Sequence, residues 1–236
     1  MSALVVEALV GGYGPDDQVV KGVSLSVEPG RLVCVIGPNG AGKSTVLKLL
    51  AGLLRPISGA IRVFGQAVTP ASPRAMVAAG CVLVPQERNV FGALSVEENL
   101  RMGGRGGMAE IYARFPLLRE RRRQAARTLS GGQRQLLAMG QALMAKPRLL
   151  LLDEPTAGLS PMAATELFGT IRALAVSGMP VLMVEQNALE ALAVADEAVV
   201  LVDGRNAHAG RAAELADDPE IRRLFLGGRT HKEQPT

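Results

Sequence analysis

Leu32-Val33-Cys34-Val35-Ile36-Gly37-Pro38-Asn39-Gly40-Ala41-Gly42-Lys43-Ser44-Thr45 runs from five apolar residues through a glycine-punctuated turn to a lysine and two hydroxyls. The apolar run is too short for a helix and is bounded by glycines, so it reads as a strand buried on both faces of a parallel sheet. From Lys43 to Ala51 the pattern becomes helical, and Gly52 is placed to end it. A strand, a glycine turn and a helix N-terminus in that order make an anion cradle. The glycines let successive backbone N–H groups face inward, the helix dipole adds positive potential, and Lys43 adds a point charge.

Gly37, Pro38, Asn39, Gly40, Ala41, Gly42, Lys43, Ser44 and Thr45 match the P-loop pattern, which predicts ATP as the ligand. A chance match in a chain of this length has a probability of about one per cent, before the flanking strand and helix are counted. In such a loop Lys43 reaches the β- and γ-phosphates and Ser44 ligates Mg²⁺. A second element answers it. Leu149-Leu150-Leu151-Leu152-Asp153-Glu154 delivers two carboxylates to the carboxyl end of a buried strand, where ligands bind in open α/β sheets. It has the form of a Walker B element. Asp153 is expected in the Mg²⁺ shell, and Glu154, facing differently, is the candidate base for the attacking water.

Composition narrows the rest. The chain has 236 residues, 48% hydrophobic and 20% charged, the balance of one globular domain with a substantial core. The longest apolar runs fall far short of the roughly 20 residues a membrane-spanning helix needs, and no secretory leader is visible at Met1-Ser2-Ala3-Leu4. A cytoplasmic location is therefore expected. Cys34 and Cys81 each sit inside an apolar run and are expected to be buried, reduced thiols. The net charge is +4, with basic residues gathered at Arg114, Arg119, Arg121, Arg122, Arg123 and Arg127. That gathering reads as a solvated helical face, or as a surface for phosphate, acidic lipid or a partner protein. Two Tyr, five Phe and no Trp give little material for stacking bases, so no nucleic-acid partner is expected.

Outward from the P-loop, strands are expected at Leu4 to Val10, before Glu28-Pro29-Gly30, at Ala60 to Phe64 and at Cys81 to Val84. From about Glu87 to Pro147 the character changes. Ser95-Val96-Glu97-Glu98 is a capping-box signature, no strand is expected before Arg148, and a long helix should run from about Gly132 to Ala145. Gly103 to Gly107 reads as a flexible joint within this helical lobe. Strands at Leu149 to Leu152, Val181 to Val184 and Ala198 to Val202 then alternate with helices near Pro161 to Val176 and Asn187 to Ala195, the mark of an α/β parallel sheet. Asp203-Gly204-Arg205 reads as a hairpin turn. The expected division is one domain over residues 1–228, with residues 1–86 and 148–228 as the core lobe, residues 87–147 as the helical lobe, and residues 229–236 as a polar tail.

Leu129-Ser130-Gly131-Gly132-Gln133 opens the long helix with small residues, and taken alone it is either an N-cap or a second anion site. The string is the signature of ATP-binding cassette (ABC) ATPases, and it precedes the Walker B-like strand in that family's order. Nearly the whole chain resembles this family. The resemblance implies a P-loop NTPase fold with a RecA-like parallel-sheet core, a small antiparallel β subdomain and a helical subdomain. It also implies a head-to-tail dimer in which Ser130, Gly131, Gly132 and Gln133 of one subunit cover the γ-phosphate held by the P-loop of the other. Gln86, in Val84-Pro85-Gln86, matches the family's Q-loop and would contact Mg²⁺ or the attacking water. Tyr13, in Gly12-Tyr13-Gly14, matches the aromatic that stacks on adenine. Membrane-spanning permease subunits, and through them a substrate-binding protein, are the partners the resemblance implies, which places the chain on the inner face of the cell membrane.

Two positions depart from the common family pattern. Gln186 stands where most relatives carry a His that contacts the γ-phosphate, and an amide can donate a hydrogen bond there but cannot shuttle a proton. Ser160, in Gly158-Leu159-Ser160, stands where many have Asp. Val184-Glu185-Gln186-Asn187 resembles the F-type ATPase of branched-chain amino acid uptake systems. Val90-Phe91, Ser95 to Leu100, Arg114-Phe115-Pro116 and Leu224-Phe225-Leu226-Gly227-Gly228 do the same, a likeness shared with importers of urea and short amides. The expected function is the ATPase motor of such an importer. The alternatives are an ABC ATPase acting away from membranes, and a nucleotide-gated subunit that barely hydrolyses because of Gln186. Glu154 speaks against the latter.

Overall fold

Five of the strands form parallel pairs in one sheet because their residues are apolar on both faces. In the computed structural model, which describes residues 1–14, 17–68, 71–87, 89–104 and 106–226, β1 (Leu4–Gly12), β2 (Gln18–Val27), β3 (Leu32–Ile36) and α1 (Lys43–Leu50) open the chain. β4 (Pro56–Val63), β5 (Gln66–Ala67), α2 (Pro73–Ala78) and β6 (Cys81–Val84) follow. Next come α3 (Val96–Met102), α4 (Met108–Arg114), α5 (Pro116–Glu120) and α6 (Gly131–Met144), and then β7 (Leu149–Asp153), α7 (Pro161–Val176) and β8 (Val181–Glu185). The chain closes with α8 (Ala188–Val194), β9 (Glu197–Val202), β10 (Arg205–Arg211), α9 (Ala212–Asp217) and α10 (Pro219–Leu226).

The larger sheet has the order β10-β9-β3-β8-β7-β6, parallel except for the antiparallel edge strand β10. Its strand residues alternate between two cores. Cys34, Ile36, Leu150, Leu152 and Met183 pack with the helices on one side, whereas Val33, Val35, Leu149, Leu151 and Val184 pack with α1 and the smaller sheet on the other. That smaller sheet is antiparallel, in the order β2-β1-β4-β5. Cys34 and Cys81 are both free and buried, and burial raises both thiols, Cys81 to about 12, so neither is a ready thiolate.

Between β6 and β7 the described residues form helices joined by loops and no strand, with one isolated bridge, Ser95 to Ala125. α3 begins with the expected capping box, in which Ser95 accepts from Glu98 N–H and the Glu98 carboxylate accepts from Ser95 N–H. α6 starts one residue earlier than expected because Ser130 itself is the N-cap. The Gly103 to Gly107 stretch is, in its described part, not a loose joint. A Cβ on Gly103 would lie 2.0 Å from the Gln141 carbonyl oxygen, and Gly106 N–H donates to the Met144 carbonyl, so glycine is there to let the backbone press against α6.

Other boundaries moved. β4 starts at Pro56 rather than Ala60 and ends at Val63, because Phe64 turns out of the strand with φ of 48°. The turn at Asp203 and Gly204 joins β9 to β10 with φ of 50° and 76°, the two positive values a tight hairpin needs. Arg114, Arg119, Arg122, Arg123 and Arg127 are exposed and Arg121 is half-buried. Gly227, Gly228 and the tail at 229–236 lie outside the described residues. No helix among the described residues is long and apolar enough to cross a membrane.

Candidate functional site

Parallel register brings the chemistry to one edge. Ile36 pairs with Glu185 and Asp153 with Val184, so β3, β7 and β8 leave the sheet at nearly the same level, with Gly37, Glu154 and Gln186 as the first residues beyond it. β6, ending at Val84 opposite Leu152, adds Pro85 and Gln86 to the same edge. Four loops therefore converge on the start of α1. Gly42 is the N-cap of α1 in the left-handed region, φ 96°, with its Cα facing Val19 closely enough that a Cβ would sit 3.2 Å from Val19 Cγ1. Any L-residue there would be strained.

Lys43 is buried, and its ammonium donates to the carbonyls of Gly37 at 2.8 Å and Pro38 at 3.2 Å, so the loop curls around its own cation. Burial pulls the Lys43 ammonium below its ordinary value, opposed by the carboxylates of Glu154, Asp153 and Glu185. Ser44 Oγ donates to Asp153 Oδ1 at 2.9 Å, which joins the P-loop to β7. Burial raises the Asp153 carboxyl, opposed first by that hydrogen bond. Glu154, with φ of 44°, turns the chain at the end of β7, and its side chain accepts from Gln86 Nε2 at 3.1 Å. This left-handed turn is what separates the direction of Glu154 from that of Asp153, a strained conformation of the kind stored at functional sites.

Ser44, Asp153 and the amide of Gln86 offer hydroxyl, carboxylate and amide oxygen, the hard donors that suit Mg²⁺ shared with phosphate oxygens. Among the described residues no group of three or more His, Cys, Asp or Glu is gathered to hold a metal ion alone. Residues 20–157 match the family described as ABC transporter, more than half of the chain. This chain is a member of the ABC transporter ATP-binding family.

Its relatives agree along nearly their whole length. It is 43% identical over 219 residues to the high-affinity branched-chain amino acid transport ATP-binding protein BraG of Pseudomonas aeruginosa, covering 89% of this chain and 94% of that one. It is 39% identical over 214 residues to a protein of Archaeoglobus fulgidus named "Probable branched-chain amino acid transport ATP-binding protein LivF", covering 87% and 91%. Among solved structures, the ADP conformation of an ATP-binding cassette of an ABC transporter superposes with a TM-score of 0.87 at 27% identity, covering 96% of this chain and 99% of the other.

Three further positions singled out in this ABC ATPase are Tyr13, Gln186 and the start of α6. Tyr13 is 57% exposed, and Lys48 donates to its hydroxyl at 3.1 Å, the main cause of a lowered phenol pKa. The Lys48 ammonium is 5.4 Å from the Tyr13 ring centroid. Because the hydroxyl projects along the ring's long axis, these two distances put the ammonium toward the hydroxyl end of the ring. Gln186 is exposed on the wall of a cavity of ≈ 400 Å³ that also touches Thr156, Gly158, Leu159 and Asn187. Ser130 caps α6, accepting from Gln133 N–H while Gln133 Oε1 accepts from Ser130 N–H. Among the described residues no hydrogen bond joins Ser130, Gly131, Gly132 or Gln133 to the P-loop of the same chain.

Within Val184-Glu185-Gln186-Asn187 the sequence marks Gln186, not Glu185, as a site residue. Glu185 is 2% exposed at the end of β8, and its Oε1 accepts from both the N–H and the hydroxyl of Thr156. The signal was present: an acidic residue closing the apolar run Val181 to Val184 on a strand that pairs with β3 and β7.

Proposed function

We propose that this chain is the ATP-hydrolysing subunit of an importer for branched-chain amino acids, acting in a head-to-tail pair of ATPase subunits on the inner face of the cell membrane. The supporting observation is the shared sheet edge, where Lys43, Ser44, Gln86, Asp153 and Glu154 meet through the hydrogen bonds Ser44 to Asp153 and Gln86 to Glu154. The unit proposed spans residues 1–228, with residues 87–147 as its helical lobe.

In this reading the N–H groups of Gly37 to Thr45 grip the ATP phosphates and Lys43 moves from its carbonyl partners to the β- and γ-phosphate oxygens. Ser44, Asp153 and Gln86 are the residues that would hold Mg²⁺, which would supply charge neutralisation at the phosphates. Glu154, already a hydrogen-bond acceptor toward Gln86, takes the proton from the attacking water. Gln186 donates to the γ-phosphate in place of a His, and so offers orientation without proton transfer. Tyr13, 57% exposed, stacks on the adenine. Ser130, Gly131, Gly132 and Gln133 of the second ATPase subunit close over the γ-phosphate, using the N-terminal N–H groups of α6.

A groove of ≈ 320 Å³ between β6 and α6, lined by Val84, Pro85, Asn89, Phe91 and Gln141, is the proposed seat of the permease. Phe91 and Met102, before and at the end of α3, are 52% and 61% exposed, and among the described residues the buried Oε1 of Gln141 has no hydrogen-bond partner. Gln86, two residues past β6, links this groove to Glu154. The names of the relatives favour branched-chain amino acids over urea or short amides as the solute. The experiment is uptake of labelled leucine by cells lacking this chain: the native sequence restores uptake and Glu154→Gln does not. Equal restoration by both, or uptake of labelled urea in place of leucine, would refute the assignment.

A further inference from the structure

Glu185 is a carboxylate buried to 2% exposure, and its acceptors are satisfied by one loop and by its own neighbour. Oε1 accepts from Thr156 N–H at 3.1 Å and from Thr156 Oγ1 at 2.7 Å, while Oε2 accepts from Gln186 N–H at 3.2 Å. A buried carboxylate is costly unless its lone pairs are used, and here they are used to tie together two segments that no ladder joins. One segment is the loop from Thr156 to Ser160, which follows Glu154. The other is Gln186, the first residue beyond β8. The two face each other across the ≈ 400 Å³ cavity whose wall runs through Thr156, Gly158, Leu159, Glu185 and Gln186. The loop reaches further still. A Cβ on Gly131 would meet Leu159 Cδ2 at 3.1 Å and one on Gly132 would meet Ala163 Cβ at the same distance, so the start of α6 rests on this loop and on the first turn of α7.

We infer that Glu185 is a positioning residue for ATP hydrolysis: its carboxylate clamps Thr156 to the end of β8, so that Gln186, the loop Thr156 to Ser160 and the N-terminus of α6 hold one fixed arrangement. The inference rests on the reading of Glu154 and Gln186 given above. Glu185 touches neither Lys43 nor Asp153 by hydrogen bond, so it acts on the reaction through the placement of these segments rather than through the nucleotide. Burial raises its carboxyl, opposed by the Thr156 bonds, which fits an acceptor whose geometry matters more than its charge. An amide oxygen in the place of Oε1 would keep both Thr156 bonds and give up only the one from Gln186 N–H.

The test is steady-state ATP hydrolysis and nucleotide affinity for native chain, Glu154→Gln, Glu185→Gln and Glu185→Leu. Native turnover together with its loss in Glu154→Gln establishes the underlying reading separately. The clamp then predicts that Glu185→Leu, which leaves two buried donors unpaired, loses about tenfold or more in kcat with ATP affinity changed by less than about twofold. Glu185→Gln, which keeps an oxygen acceptor for Thr156, should stay within about threefold of native. Equal damage in Gln and Leu would overturn the acceptor role, and native kcat in Glu185→Leu would overturn the clamp. If Glu185→Leu does not fold, Thr156→Val removes the hydroxyl end of the same link. There a kcat about threefold or more below native supports the clamp, and a native kcat overturns it.

Discussion

Single residues at the sheet edge are held by burial as much as by partners. Glu185 shows the consequence for stability. Its ordinary carboxyl value is near 4.3 in an unfolded chain, and in the fold burial raises it, with the carboxylate of Glu154 adding to the rise. Lys43 and Cys34 are the other ionisable groups that sense it. A raised carboxyl means that the folded state holds its proton more tightly, so stability declines as pH rises from about 4.3 through the folded value. Glu185→Gln removes that penalty. The expected result is a melting temperature above native at neutral pH, with the gap closing as pH falls toward 4. A gap that widens in acid would contradict the assignment of burial as the dominant cause. Gln186 makes a second residue-scale case. If its amide limits the motor, Gln186→His should raise ATP turnover severalfold, read by phosphate release, whereas unchanged turnover would show that Glu154 alone sets the rate.

At the scale of elements, the sequence made β3, α1, β7, α7 and β8 readable because each is an uninterrupted apolar run or a capped 3.6-period stretch. β3 and α7 have the bounds that the pattern predicts, Leu32–Ile36 and Pro161–Val176. β10, Arg-Asn-Ala-His-Ala-Gly-Arg, gave no pattern because it is an edge strand whose side chains are largely exposed and whose place is set by the hairpin turn before it. The residues of the site are legible as strings, whereas Glu185 shows only as the acidic end of an apolar run, since its importance lies in a hydrogen bond to Thr156, 29 positions away. Two predictions belong at this scale. Gly42→Ala forces a left-handed Ala against Val19 at the N-terminus of α1 and should lower stability by about 1–2 kcal/mol, measured by denaturant unfolding. Ser130→Arg, placed at the cap of α6 in a Glu154→Gln background, should abolish ATP-induced dimerisation on gel filtration while nucleotide binding persists. A normal dimer peak would remove the signature loop from the interface.

The whole molecule is an arrangement for bringing four loops to one edge of a parallel sheet and a helical lobe to the side of it. Sheet register alone sets Ile36 beside Glu185 and Asp153 beside Val184, and the hydrogen bonds Ser44 to Asp153, Gln86 to Glu154 and Thr156 to Glu185 then tie the P-loop, the loop after β6 and the end of β8 to the end of β7 and the residues just beyond it. The loop that leads from β6 toward the helices is thereby joined to Glu154 through Gln86. The central claim is that this edge hydrolyses ATP with Glu154 as the base. Phosphate release by the Glu154→Gln chain with saturating Mg²⁺ and ATP tests it most directly: turnover should fall by about 10²-fold or more with ATP affinity retained, and turnover equal to that of the native chain would contradict it.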